Sequence, residues 1–424
     1  LAALLQDTAN VYWADAELGV YIQEALRTWS AYAFYWKERG VFTTVAATAF
    51  YDLPTELPAL RAYSVTDSNL VTTIQYHFLE PATGTSWTGS NQFTLSDLTA
   101  ALQRRLNQFL VDTGCVVTKS TVAIAPVQSG RNTMVDTMID IRRLAWIDVD
   151  GDYTVLERED ETALGNYQIG WPQEPATPYA YSVAVTPPLQ LQLAPPPADT
   201  GQLEVISVDT GATLDPTAGV ILGIPDDYTW AVKFGAMADL LGSDGQARDP
   251  ERAAYCEARY MDGVRLARLA TSVMRLAVNA VPVEIVSLYE LDQYSPDWQD
   301  ASGAPGLAAM AGLNLMAMAN VPDGSYGVTA DVLRNAPIPT AAGDYLQVGR
   351  EEMEAILGYS QHLASFKMAG EEWKATIQHY ERFMKLAMLK NERLRANAKD
   401  FTTLQDRSVR EDQFRPRREE YTNA

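Results

Sequence analysis

From Glu351 to about Leu394 the apolar residues keep a seven-residue beat, and no other feature constrains the fold of this chain as tightly. Ile356, Leu363, Gly370, Ile377, Met384 and Asn391 form one set, and Phe366, Trp373, Tyr380, Ala387 and Leu394 form the other. Two sets offset by three and four residues make a continuous helical seam that other helices must cover. Unbroken, such a helix would run on the order of 65 Å at about 1.5 Å per residue, with Gly370 the natural place for a break. Trp373 and Tyr380 share one register and are expected on the buried side, against helices of the same chain or of an adjacent copy. Both are therefore candidate partner-contact residues.

Upstream, periods of 3.6 and 2 alternate. A helix is predicted from about Asp15, placed as its N-cap, to about Glu38, with Leu18, Ile22, Ala25, Trp29, Tyr32 and Trp36 on one stripe and Gly40 beyond it. Val41 to Tyr51 reads as β structure, and Leu70 to Leu79 alternates as a strand. Thr94 and Asp97 are spaced as a capping box for a helix to about Val111, with Leu98, Leu102, Leu106 and Phe109 inward. From Met134 the period is two, leading into an Asp150-Gly151 turn that signals a hairpin. Trp171 to Val208 is β structure punctuated by Pro187-Pro188 and Pro195-Pro196-Pro197, so its strands should be short or at edges. Asp227 is placed to cap a helix to Leu241, and Asp249-Pro250-Glu251 starts another, predicted to reach about Asn279.

The fold class expected is α+β: mixed helices and short antiparallel strands, with a long C-terminal helix and extended arms. The boundaries read as a mixed body over 1–289, with its proline-rich β segment at about 171–208, then an extended linker or arm over 290–345. A long helix follows over 346–398, and a basic tail over 399–424. The tail gathers Arg407, Arg410, Arg415, Arg417 and Arg418 among few apolar residues and cannot build its own core. These arginines are candidate partner contacts, inserted into an acidic surface of a neighbour. A merely solvated tail and contact with packaged DNA are the alternatives.

Net charge narrows the partners. With 54 acidic and 33 basic side chains, the chain carries a formal −21 and repels phosphate backbones. No apolar run is long and uncharged enough for a membrane helix, and no signal peptide is expected at the N-terminus. Cys115 and Cys256 are too few and too far apart for a disulfide framework or a zinc site.

Enzymatic motifs are missing. There is no GxxxxGK, GxGxxG, HExxH, CxxC or GxSxG, and His77, His362 and His379 are the only histidines. Each is expected in a surface or packing role, with no metal and no cofactor. Asp148, Asp150, Asp152 and Glu159 mimic the spacing of a calcium loop, but Tyr153 stands where that loop needs glycine. A hairpin turn with solvated acids is the simpler reading.

Three stretches carry a resemblance. Asp140-Ile141-Arg142-Arg143-Leu144-Ala145-Trp146-Ile147-Asp148 with Leu156-Glu157-Arg158-Glu159-Asp160 is one, and Pro178-Tyr179-Ala180-Tyr181-Ser182 with the following proline-bracketed strands is another. Ala25-Leu26-Arg27-Thr28-Trp29 with Phe50-Tyr51-Asp52-Leu53-Pro54 is the third. Together they resemble neck and adaptor proteins of tailed bacteriophages, over about the first two-thirds of the chain. The resemblance implies a non-enzymatic head-to-tail connector in the virion neck, assembled in the host cytoplasm. It implies a homo-oligomeric ring, commonly twelvefold, bound to the portal protein and to tail or neck proteins, with DNA only passing through the lumen. A collar or capsid-associated protein and, more remotely, a two-carboxylate glycan hydrolase remain the competing readings.

Overall fold

The computed structural model describes residues 1–7, 9, 12–58, 60, 62–78, 93–126, 131–167, 174–184, 189–245, 247–339 and 345–397. Helix α1 (Asp15–Ala33) opens the chain, followed by strands β1 (Lys37–Thr43) and β2 (Phe50–Asp52), the single turn α2 (Leu53–Glu56) and α3 (Asp67–His77). Helix α4 (Leu95–Thr113) then leads into β3 (Thr118–Ile124), β4 (Arg131–Thr133), β5 (Met138–Ile147) and β6 (Tyr153–Arg158). After the short α5 (Glu161–Tyr167) come β7 (Ala180–Ala184), β8 (Gln190–Ala194) and β9 (Gly201–Asp209), then helices α6 (Thr229–Gly242) and α7 (Pro250–Leu269). Strands β10 (Val273–Val278) and β11 (Val281–Ser287) precede α8 (Leu288–Tyr294). Then follow β12 (Leu307–Ala311), β13 (Leu315–Ala319), β14 (Gly327–Leu333), and helices α9 (Arg350–Ser365), α10 (Gly370–Lys374) and α11 (Ile377–Asn397).

Strand order reveals a repeat. One seven-stranded sheet runs β3-β9-β5-β6-β7-β8-β4 and the other β1-β14-β10-β11-β12-β13-β2. Counted by their own order of appearance, both read first, seventh, third, fourth, fifth, sixth, second. In both, only the fourth and fifth strands are parallel (β6 with β7, β11 with β12), and every other pairing is antiparallel. A parallel neighbour requires a crossover rather than a hairpin, and α5 and α8 sit in the two equivalent crossovers. The first two strands of each set lie at opposite edges, so each sheet curls around its own core. Phe42 of β1 thus meets Tyr51 of β2, with ring centroids 5.5 Å apart. One interior holds Phe42, Leu276, Met316, Val328 and Ala330, and the other Ile124, Ile141, Leu144, Leu191 and Val205.

The helices repeat too. A 19-residue helix precedes each sheet, α1 for one and α4 for the other. Both end on a residue in the left-handed region, Phe34 and Gly114, whose N–H bonds the carbonyl four residues back. After each sheet, two helices pack with its leading helix: α6 and α7 with α4, and α9 and α11 with α1. The chain is thus two modules of one design. The inner module (95–269) is inserted between the second and third strands of the outer one (15–52 with 273–397).

Mixed helices and mainly antiparallel strands agree with the α+β expectation, and several local expectations held. The Thr94–Asp97 capping box forms, and Leu98, Leu102, Leu106 and Phe109 are buried. Asp249 accepts from the Arg252 N–H to start α7. Asp148 folds the hairpin, its Oδ1 accepting from the N–H groups of Asp150 (2.9 Å) and Asp152 (3.0 Å).

Other expectations are corrected. Residues 70–77 are helical, because Thr66 and Asn69 form a capping box and Leu70, Ile74 and His77 fall on one buried face. Leu79 and the Pro187-Pro188 pair lie outside the described residues. Helix α1 stops at Ala33 because Phe34 takes the left-handed conformation and Lys37 already pairs with Leu333. Its first turn is not capped by Asp15, for Ala14 holds that position; Tyr228, not Asp227, precedes α6. Helix α7 ends at Leu269, and Val273–Val278 is a strand. Among the proline-bracketed strands, β8 is short but internal, and the nine-residue β9 lies between β3 and β5. Residues 290–345 are no arm: they supply β12, β13 and β14, and the boundary expected at 289 falls inside α8. The terminal helix is broken where Gly370 was expected to break it, over Phe366–Thr376 with Ala369 and Gly370 both at φ of +56°, but it does not run on beyond: α11 folds back along α9.

Candidate functional site

The modules meet along a junction that is unusually rich in buried charge. On the sheet side, three strands of the inner module each contribute one ionic group: Lys119 from β3, Arg143 from β5 and Glu204 from β9. Lys119 Nζ lies 3.0 Å from Glu204 Oε2, and Arg143 Nη1 lies 2.9 Å from Glu204 Oε1. The outer module caps this trio from α8 and the loop after it. Asp292 accepts from Arg143 Nε at 2.8 Å and from Nη2 at 3.0 Å, a bidentate pair, while Gln299 Oε1 accepts from Nη2 at 2.6 Å. Trp298 donates from its indole N–H to Asp292 and lies under the guanidinium. The Arg143 side chain is 5% exposed and Glu204 1%. A buried ion pair contributes little net stability over an apolar pair, but losing one partner strands a charge, at a cost of about 3–5 kcal/mol.

The helical side is built alike. Lys233 sits in the otherwise apolar run of α6 and donates to Glu24 of α1, with His77 Nε2 3.0 Å from its ammonium. All three side chains are buried. Burial holds the His77 imidazole well below its ordinary range, and neighbouring Lys233 adds to the effect. Burial also lowers the Lys233 ammonium, against the opposing pull of Glu24. Deeper, Arg259 of α7 donates to the hydroxyls of Tyr359 (2.8 Å) and Tyr380, and lies 4.5 Å from the Trp230 ring and 4.4 Å from that of Tyr380.

Of the residues singled out from sequence, Trp373 and Tyr380 fall in this junction. Trp373 is 3% exposed and packs against Tyr255, His362 and Phe366. Its partners in this structure lie within its own chain, Tyr255 of the inner module and His362 and Phe366 of the outer. Tyr380 is half-buried between Arg259 and Asp262. Arg407, Arg410, Arg415, Arg417 and Arg418 lie outside the described residues. His77 and His362 have packing roles, but inside the protein rather than at its surface. The sequence reading passed over Arg143, Lys233 and Arg259. A lone lysine inside Trp230–Leu241 was a usable signal, because a cation there must find a buried partner.

Each ionic side chain of the junction is engaged by a neighbour on a packed element. Among the described residues, no group of three or more His, Cys, Asp or Glu side chains could hold a metal ion, and no helix is long and apolar enough to cross a membrane. The junction ties the two modules together through ion pairs. Against known families, the model described as SU10 adaptor protein matches residues 68–281, half of the chain.

The chain belongs to the SU10 adaptor protein family.

The family is one of phage structural adaptors, which makes this chain a virion component. No curated protein matches the chain. The matched stretch contains the whole inner module, from α4 to α7, together with α3 and β10. The outer module of this adaptor repeats the same design outside most of the matched range.

Proposed function

We propose that this adaptor is a subunit of the neck of a tailed phage. Copies of it form a ring, twelvefold as in the connectors it resembles, between the portal and the tail, and DNA passes through the lumen. The observation that carries this reading is the coincidence of the family match with one complete structural module. The formal charge of −21 supports it, because an acidic lumen lets DNA slide without adhering. So does the joint between modules, whose paired ionic groups Arg143–Asp292 and Lys233–Glu24 tie one module to the other across a buried seam. The arginines of the tail, in this reading, grip an acidic surface of a neighbouring subunit or of the portal.

Electron microscopy and native mass spectrometry of the purified chain, alone and mixed with its portal, provide the test. Rings that cap the portal are expected. A chain that stays monomeric in both conditions overturns the proposal.

A further inference from the structure

The ionic trio that receives Asp292 has a counterpart. In the outer module the same three strands, first, third and seventh, carry Arg39 on β1, Arg275 on β10 and Asp331 on β14. Arg39 Nε lies 2.9 Å from Asp331 Oδ1, as Lys119 lies against Glu204, and Arg275 stands opposite Asp331 in the sheet register. One difference separates them. The inner trio is covered by a carboxylate from the crossover between the fourth and fifth strands of the outer module. The cations of the outer trio face solvent, with the Arg39 side chain 68% exposed and Arg275 exposed.

The leading helices differ in the same sense. Glu17, Glu24, Thr28 and Ala31 of α1 are buried along one stripe, where Glu24 meets Lys233 of the inner module. At the same steps of α4 stand Asp97, Arg104, Gln108 and Val111, all exposed. Contact between the modules is thus head-to-tail: the outer one presents its leading helix and its crossover, and the inner one receives them on its trio and its α6–α7 pair. Among the described residues, the presenting surface of the inner module and the receiving surface of the outer one keep charged side chains exposed.

We infer that the intrachain contact repeats between copies: the β6–β7 crossover of one chain places a carboxylate on the Arg39–Arg275 face of the next. The exposed acids at the start of that crossover, Asp160 and Glu161, supply the complementary charge. The occupant is therefore a second copy of this chain, with α4 lying against its terminal helix pair. A heterologous contact of this kind closes into a ring when its rotation allows, and the ring then counts two modules per chain. The inference rests on the ring reading above and specifies its contact.

The test reverses charge on each side. Arg39→Glu with Arg275→Glu alters the receiving face, Glu161→Lys with Asp160→Asn the presenting one, the asparagine keeping an acceptor for the Thr162 N–H. Each pair is expected to leave the melting curve unchanged and to weaken association by at least about tenfold in native mass spectrometry and sedimentation, and a chain carrying both pairs should regain it. Should the glutamates disturb folding, Arg39→Gln with Arg275→Gln tests the same face without repulsion. Wild-type rings that tolerate both pairs, or that the combination fails to restore, overturn this contact and leave the ring standing. A wild-type chain that never associates overturns both.

Discussion

Trp29 of α1 meets Phe383 of α11 edge-on, with ring centroids 5.5 Å apart and planes at 66°. In the inner module Phe109 of α4 meets Tyr260 of α7 at 6.4 Å and 64°. The two modules therefore share the aromatic contact that fixes the leading helix on the last one, as well as a topology. Because both contacts are fully buried, Trp29→Ala and Phe109→Ala should each cost about 3–5 kcal/mol, measured by chemical denaturation. A loss below about 1 kcal/mol at either site would show that its module does not depend on this packing.

Arg143 ties the modules together on the sheet side. Arg143→Ala leaves Asp292 and Glu204 as buried carboxylates, one of them without its bidentate partner, and should cost about 3–5 kcal/mol. Restoring neutrality with Asp292→Asn in the same chain should recover part of that loss. Equal stabilities for the single and double variants would contradict the coupling.

Trp373 makes a sharper distinction between stability and assembly. Its contacts lie within the chain, so Trp373→Ala should lower the unfolding free energy by about 3–5 kcal/mol. Once folded at low temperature, the variant should associate as the wild type does. A variant of normal stability that fails to associate would reverse this assignment.

His362 predicts a pH dependence. Burial, reinforced by Arg259, lowers its pKa to about 3, and Nε2 and Nδ1 face the hydroxyls of Tyr255 and Thr376. Between the unfolded value of about 6.5 and the folded value, the unfolded chain binds a proton that the folded chain refuses. Stability from this group is therefore present above pH ~6.5 and falls as the pH drops toward the folded pKa. Compared with His362→Gln, the wild type should lose up to about 1.4 kcal/mol more per pH unit across that window. Parallel pH profiles for the two proteins would contradict it.

The sequence spoke clearly where structure is set locally. The box of Thr94 with Asp97 and the proline after Asp249 marked true helix starts, and the seven-residue beat found the helices that cover α1. It was silent where pairing is distant. Strands β12 and β13 are written in alanine, methionine and leucine, which carry little strand preference; they are strands because partners remote in the chain, down to β2, complete the sheet. Gly370 marked the place of the interruption but not its consequence, since a turn at Ala369–Gly370 preserves the count while reversing the direction. The repeat left almost no trace in residue identity, because Trp29 and Phe109, or Tyr260 and Phe383, need only be large and apolar to do the same work. Arg143 lay in plain view within a motif, but only the position of Asp292 on a separate module gives it a role.

The nesting of one module in the other sets an order of events on the ribosome. Strands β1 and β2 are synthesised early, yet their neighbours β14 and β13 come only after the whole of residues 53–272. At roughly 5–20 residues per second, the two strands wait on the order of 15–60 s until β13 and β14 are made, with unpaired edges and the apolar side chains of Phe42, Phe50 and Tyr51 uncovered. The inner module, continuous in the chain, is complete well before then. It is the part of the newborn protein able to fold first, and the outer module must close around it.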